Sequence, residues 1–236
     1  MNVPANTPTP SEPDSRAFTW RWLAAAFSYP DAETWTWVSA PETLAALDAP
    51  RLPAPADPAA AHLALFGHTI RGDCPPHELE YGSLHADKLY QPHLLADIAG
   101  FYRAFGLELT PATTDRVDHI AFEAEFYAVL CAKETYARHH QLPELDQCLE
   151  AQKKFLREHL GRWTPSFSRR VERHSAEPFY AFAARRLRET VLAECARHGV
   201  RPGSDDVQLR PADQLTDPCG PCGLAVAVPG ASVSGE

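Results

Sequence analysis

The chain has 236 residues, 44% of them apolar and 22% charged, with a formal net charge of −9. That length and apolar share suit one large domain or two small ones with a real core, and the acidic balance argues against non-specific nucleic-acid binding. No apolar run approaches the ~20 residues of a membrane span, and the start, MNVPANTPTPSEPDS, lacks the basic region and apolar core of a secretory signal. The expected setting is therefore the cytoplasm, where six cysteines read as thiols.

Residues 1–14, rich in Pro, Thr, Asn and Ser, are expected to be disordered. A helix should follow from about Ser15 to Tyr29, where Phe18, Trp22, Ala25, Ala26 and Tyr29 recur at helical spacing. Pro30 stops it, and Asp31 is a good N-cap for a second helix carrying Trp35 and Val38. Pro41 breaks that helix, a short segment continues to about Asp48, and the proline-rich stretch 49–58 is a loop. Asp57 followed by Pro58 opens another helix, through Leu63, Leu65 and Phe66, which fades near Gly67 or Ile70. Arg71 to Ser83, RGDCPPHELEYGS, reads as an ordered but non-helical loop. From Gln91 to Phe105 the pattern is helical again, with Leu94, Leu95, Ile98, Phe101, Tyr102 and Phe105 on its core side and Gly106 at its end.

The stretch Asp115 to Tyr136 is expected to be the central helix. Val117, Ile120, Ala121, Ala124, Tyr127, Ala128 and Cys131 fall on one face, and Phe122, Phe126, Val129 and Leu130 roughly opposite, so other helices must wrap it. Asp118 and Glu125 occupy one seam between those faces, Glu123 and Glu134 the other, and His119 sits one turn before Glu123. Further helices are expected from Pro143 to about Leu160, ended by Gly161, from Trp163 to about His174, and from Pro178 to about Gly199. The class is all-α: a single helical-bundle-like domain of about eight helices over 15–199, followed by a flexible Pro/Gly-rich tail over 200–236.

Two readings of the central helix start stay open. Asp115 and Asp118 have capping-box-like spacing, so Asp118 would cap and His119 be a first-turn histidine. Alternatively, Asp118, His119 and Glu123 line a groove that binds a basic ligand. For metal chemistry, HExxH is absent, no Glu-x-x-His pair of the di-iron bundles occurs, and His119 with Glu123 gives only two ligands. Cys219-Gly-Pro-Cys222 suits zinc, an iron–sulfur cluster or thiol redox, but it stands in a Gly/Pro-rich tail with no second pair nearby. Neither GxSxG, GxGxxG nor a P-loop is present. Trp20, Trp22, Trp35 and Trp37 are expected as core and rim packing rather than as a base-stacking platform. These features describe a binding protein better than an enzyme; the alternative is a metal- or redox-active helical protein using Cys219 and Cys222.

Three segments, in order and at their separations, resemble the TorD/DmsD/NarJ family of cytoplasmic chaperones for molybdenum enzymes. They are Leu65-Phe66 with the loop Cys74-Pro-Pro-His-Glu-Leu-Glu-Tyr-Gly82; Asp118-His119-Ile120 with Glu123 and Glu125; and Phe155-Leu-Arg-Glu-His159-Leu160 with Trp163, Pro165, Phe167 and Glu177-Pro-Phe-Tyr180. The resemblance spans about residues 18–195, and its loop looks like that of the branch serving type II enzymes of the dimethyl sulfoxide reductase family. It implies an all-α, non-catalytic protein that binds the catalytic subunit of a molybdenum oxidoreductase, often through its twin-arginine leader. Such a chaperone assists insertion of the bis(molybdopterin guanine dinucleotide) cofactor and delays export. It would hold no permanent cofactor, touching the client's molybdenum cofactor only transiently, and would be a monomer or a domain-swapped dimer. Carried over by position, the leader-binding segments are Pro76, Glu78, Glu80 and Tyr81, with Asp118 and His119. Because carboxylates pair bidentately with guanidinium, Glu78, Glu80, Asp118 and Glu123 are the expected acidic side, and Tyr81, Phe122, Phe126 and Trp163 the apolar side. His77 stands where relatives often carry an aromatic ring, and the Cys219/Cys222 tail is not part of the general family pattern.

Overall fold

The structure, a computed structural model, describes residues 12–50, 52–53, 55–67, 72–82, 90–110 and 115–211. Of the segment 1–14 expected to be disordered, residues 1–11 lie outside the described residues, as do Cys219 and Cys222, while residues 12–14 belong to the first helix, which starts at Glu12 rather than Ser15. The fold is all-α and a single domain. Its elements are α1 (Glu12–Phe27), α2 (Ala32–Ser39), α3 (Pro41–Ala45), α4 (Pro58–Phe66), a 3-10 turn (Glu78–Glu80), α5 (Tyr90–Ala104), α6 (Ile120–His139), α7 (Leu145–Glu158), α8 (Leu160–His174) and α9 (Pro178–His198). The caps read from the sequence form as expected at two helices: Asp31 accepts from the Thr34 N–H at 2.9 Å and Asp57 from the Ala60 N–H at 3.0 Å.

Helix α6 is the axis of the domain, packed along α1 on one side and α7 on another, while α8 lies between α7 and α9. Its two apolar faces explain this: Ile120, Ala124, Tyr127 and Cys131 are buried on one side, Phe126 and Leu130 on the other. Trp20 and Trp22 of α1 are fully buried, Trp20 tilted against Tyr127 at 4.7 Å between ring centroids, while Trp35 and Trp37 pack partly buried at the edge.

Three expectations are corrected. The central helix starts at Ile120 rather than Asp115, because residues 115–119 run alongside the 74–82 loop instead of coiling. Gly161 does not end α7; His159 separates α7 from α8, and Gly161 and Pro165 both lie inside α8. Residues 200–210, expected as tail, pack back on the domain: Val200, Val207 and Leu209 lie against the core, and Arg210 is buried. This strap is fixed where Pro165, lacking an N–H, leaves the Gly161 carbonyl without its helical partner. The Gly203 N–H donates to that carbonyl at 2.7 Å.

Candidate functional site

The strap, the 74–82 loop and the start of α6 meet at one place. Two prolines hold the loop extended, and it pairs with the chain before α6: the Ile120 N–H donates to the Pro76 carbonyl at 2.8 Å and the Glu78 N–H to the Asp118 carbonyl at 3.0 Å. His77 and His119 form an isolated antiparallel bridge. On the loop's other edge Tyr81 bridges Leu209, the Gly82 N–H donates to the Gln208 carbonyl at 3.2 Å, and the Arg210 N–H donates to the Glu80 carbonyl at 2.8 Å. The Tyr81 hydroxyl donates to the Pro75 carbonyl at 3.0 Å, and its ring lies 5.2 Å from Trp163.

Against the capping reading, His119 is the cap of α6: its Nδ1 accepts from the Ala121 N–H at 3.1 Å. Asp118 has other work. Its Oδ2 accepts from the Leu79 N–H at 3.0 Å, and Arg116 grips both its oxygens, Nε to Oδ1 and Nη2 to Oδ2, each at 2.9 Å. The same guanidinium reaches Glu80 at 3.8 Å.

The structure brings the four expected carboxylates together, but beneath the surface: Asp118 and Glu123 are 0% exposed, Glu78 3% and Glu80 6%. Glu78 is bonded to His159 Nδ1 at 3.0 Å, and His159 Nε2 to Asp97 at 3.2 Å. Burial pushes the Glu78 carboxyl up even against that imidazole. Glu123 accepts from the Trp163 indole N–H at 3.2 Å, while its Oε1 has no hydrogen-bond partner among the described residues. Burial and the neighbouring Glu78 raise its pKa well above the ordinary carboxylate range. As they stand, none of the four carboxylates is open to a cation arriving from solvent. The four carboxylates expected to line a groove form a covered cluster in this structure, with part of its charge answered by Arg116.

On the expected apolar side, Tyr81, Trp163 and Phe126 are buried too, Phe126 among Tyr102, Phe105 and Phe155 at 5.0, 5.8 and 4.8 Å. Phe122 is half-buried, and with Tyr102, Leu107, Leu109 and Val129 it lines a cleft of about 120 Å³ that carries Glu108 and Glu125. A larger open groove of about 570 Å³ runs between α5 and α7 over Phe101 and Phe105, with Asp97, Asp146 and Glu150 along it.

Sequence reasoning missed Arg116, Asp97 and the strap. Arg116 and Asp118 meet within a turn that the His119 N–H closes on the Arg116 carbonyl at 3.2 Å, whereas a helix was expected there. Among the described residues, His77, Asp115 and His119 have ligand-type atoms close enough to share a metal ion. The buried thiols Cys74, Cys131, Cys148 and Cys195 are unpaired, and burial raises each above its ordinary pKa. No described helix is long and apolar enough to cross a membrane.

A profile described as nitrate reductase delta subunit matches residues 37–169. The selenate reductase assembly chaperone protein of Thauera selenatis is 28% identical over 192 residues, 79% of this chain and 91% of its own. The perchlorate reductase assembly chaperone protein of Dechloromonas aromatica is 32% identical over 119 residues, 50% of this chain and 52% of its own. The chlorate reductase assembly chaperone protein of Ideonella dechloratans is 29% identical over 187 residues, 76% and 88% of the two chains.

Proposed function

The chain belongs to the nitrate reductase delta subunit family, the TorD/NarJ-type chaperones, with more than half of its length matched, and on that premise we propose that it is a cytoplasmic assembly chaperone for the catalytic subunit of a molybdenum oxidoreductase. It is not an enzyme: its relatives are named for assembly of selenate, perchlorate and chlorate reductases. The client is a type II enzyme of the dimethyl sulfoxide reductase family. The chaperone binds its twin-arginine leader, delays export, and touches the molybdenum cofactor only while it is being inserted into the client.

One observation carries the leader reading: the bidentate grip of Arg116 on Asp118. It is the geometry in which a carboxylate takes an arginine from another chain. Arg116 stands in for the leader's guanidinium. When the leader binds, the 74–82 loop shifts, an incoming arginine replaces Arg116 on Asp118, and Glu78, Glu80 and Glu123 supply the negative field around it. Pro76 and Tyr81 keep the loop in register, His119 holds the start of α6, and the leader's apolar part lies along the cleft beside Phe122, above Phe126.

Calorimetric titration with a synthetic leader and with its Lys-Lys version tests this. The twin-arginine peptide should bind and the Lys-Lys version should bind more weakly, since lysine cannot form the planar double contact. Asp118→Asn should weaken leader binding about 10- to 100-fold, the range for hydrogen bonds to charged groups. Arg116→Gln should do the reverse: a less stable free protein whose melting temperature rises more on adding leader, because the internal competitor is gone. Equal affinity in wild type and both variants would remove Asp118 from the leader site.

A further inference from the structure

On the outer side of the same junction three side chains converge, two of which, His77 and Asp115, the leader reading leaves unused. His77 Nε2 lies 2.7 Å from Asp115 Oδ1, and His119 Nε2 lies 3.7 Å from Asp115 Oδ2. All three donor atoms fall within 4.8 Å of one another. The imidazoles stand edge to face with centroids 5.0 Å apart, fixed side by side by the backbone bridge between residues 77 and 119. We propose that His77, Asp115 and His119 form a binding site for a divalent transition metal, with His77 Nε2, His119 Nε2 and one Asp115 oxygen as ligands and solvent in the remaining position.

Two imidazoles and one carboxylate select zinc, cobalt or nickel over magnesium or calcium, which prefer an all-oxygen shell. Tetrahedral bonds of about 2.0–2.2 Å need donors roughly 3.3 Å apart. The present separations are 2.7 Å from His77 to Asp115 Oδ1 and 3.7 Å from His119 to Asp115 Oδ2, and with all three ligand atoms within 4.8 Å of one another the side chains must close by up to about 1.5 Å around an ion. Asp115 is 46% exposed and His77 19%, which gives a metal a way in and room for water. The Arg116 backbone N–H donates to Asp115 Oδ1 at 3.0 Å and orients the carboxylate. The Arg116 guanidinium is held away on Asp118.

His119 is neutral at physiological pH, since burial, with His77 beside it, takes its pKa down to about 3. In the free protein its Nδ1 caps α6, which places the ring proton on Nε2. Metal binding moves that proton to Nδ1, so the site gives up one cap hydrogen bond in exchange for coordination. Once filled, the site staples the 74–82 loop to the start of α6. The proposal does not depend on what the protein binds as a chaperone.

The test uses full-length protein without a histidine tag, stripped with chelator. Zinc binding is followed by calorimetry, cobalt by its visible d–d absorption. Expected are about one equivalent of zinc bound, a visible cobalt band without the near-ultraviolet thiolate charge-transfer band, and a melting-temperature rise of about 5 °C in excess zinc. His77→Ala and Asp115→Asn should each weaken zinc binding at least about tenfold and abolish the temperature rise. His77 is the decisive position because it lies on the loop and caps no helix, so circular dichroism should show its variant folded. The double variant Cys219→Ser, Cys222→Ser should bind as wild type does. No stoichiometric binding, equal binding by His77→Ala, or a thiolate band lost with the cysteines would each overturn the site.

Discussion

Glu123 is a carboxyl group placed where the fold offers it one indole donor and two acidic neighbours, Glu78 and Asp118. Its raised pKa means that the native state keeps a proton which the unfolded chain releases above about pH 4.3. Its contribution to stability is therefore complete below that pH and declines as pH rises toward the folded value. Glu123→Gln keeps the shape and an oxygen for Trp163 but carries no titrating proton. Its melting temperature should exceed wild type at pH 8, with the gap closing toward pH 5; a gap that does not change with pH would mean that Glu123 is ionised in place. Much of this site was legible as residue types: the four acids, Tyr81 and His119 come together as the sequence suggested. Their accessibility was not, because burial of an acid depends on its partners: Arg116, two residues from Asp118 but brought onto it by a turn, and His159, which reaches Glu78 from a distant segment. The capping role also moved by one residue: Asp118 faces the loop, leaving His119 as the first side chain free to turn back on the helix.

Among the elements, the helices were legible wherever apolar residues recur every three to four positions, as in α1, α5, α6 and α9. The start of α8 was not, since Gly161 is read as a breaker and the next helix as opening only at Trp163, just before Pro165. Here Gly161 and Pro165 form a socket. Proline frees the Gly161 carbonyl, and the missing side chains at Gly161 and Gly203 let two backbones meet. A Cβ on Gly203 would lie 2.0 Å from the Arg162 carbonyl oxygen, and one on Gly161 would lie 2.5 Å from that of Leu156. The strap's Pro, Gly and Asp content reads as loose chain, and it is partners across the fold, the Gly161 carbonyl and the 80–82 edge of the loop, that give it a place. Gly203→Ala has no such space and should destabilise by about 1–3 kcal/mol, as overpacking does elsewhere. Urea unfolding measures this, and an unchanged midpoint would mean that the strap is not seated on α8.

For the molecule as a whole, the class and the central position of α6 follow from the sequence, but the polar tie across its far end does not. Arg16 of α1 donates from Nε and Nη2 to Glu194 of α9, both at 2.6 Å, from Nη1 to Glu134 of α6 at 2.8 Å, and to Gln152 of α7 at 3.0 Å. Four helices are thus joined through one guanidinium. Burial pushes the Glu134 carboxyl up, but hydrogen bonds from Arg16, Gln152 and Arg138 outweigh it and hold the pKa down at about 2. A lowered carboxylate contributes stability above its unfolded value and loses it on acidification, so unfolding should become steeply easier between about pH 4.5 and pH 2. Arg16→Met takes the double contact from Glu194 and leaves Glu134 to Arg138, Arg197 and Gln152, and should cost about 3–5 kcal/mol at pH 7, with a shallower acid dependence; an unaltered acid profile would place the sensitivity elsewhere. The pairing of Tyr81 and Gly82 with Gln208 and Leu209 sets an order in time as well as in space. Translation delivers the strap more than a hundred residues after the loop it closes, an interval on the order of ten seconds at about 5–20 residues per second. A nascent chain halted short of Gln208 has all nine described α-helices behind it, yet its loop lacks one edge. The second edge of the 74–82 loop is therefore closed only after every one of those helices has been made.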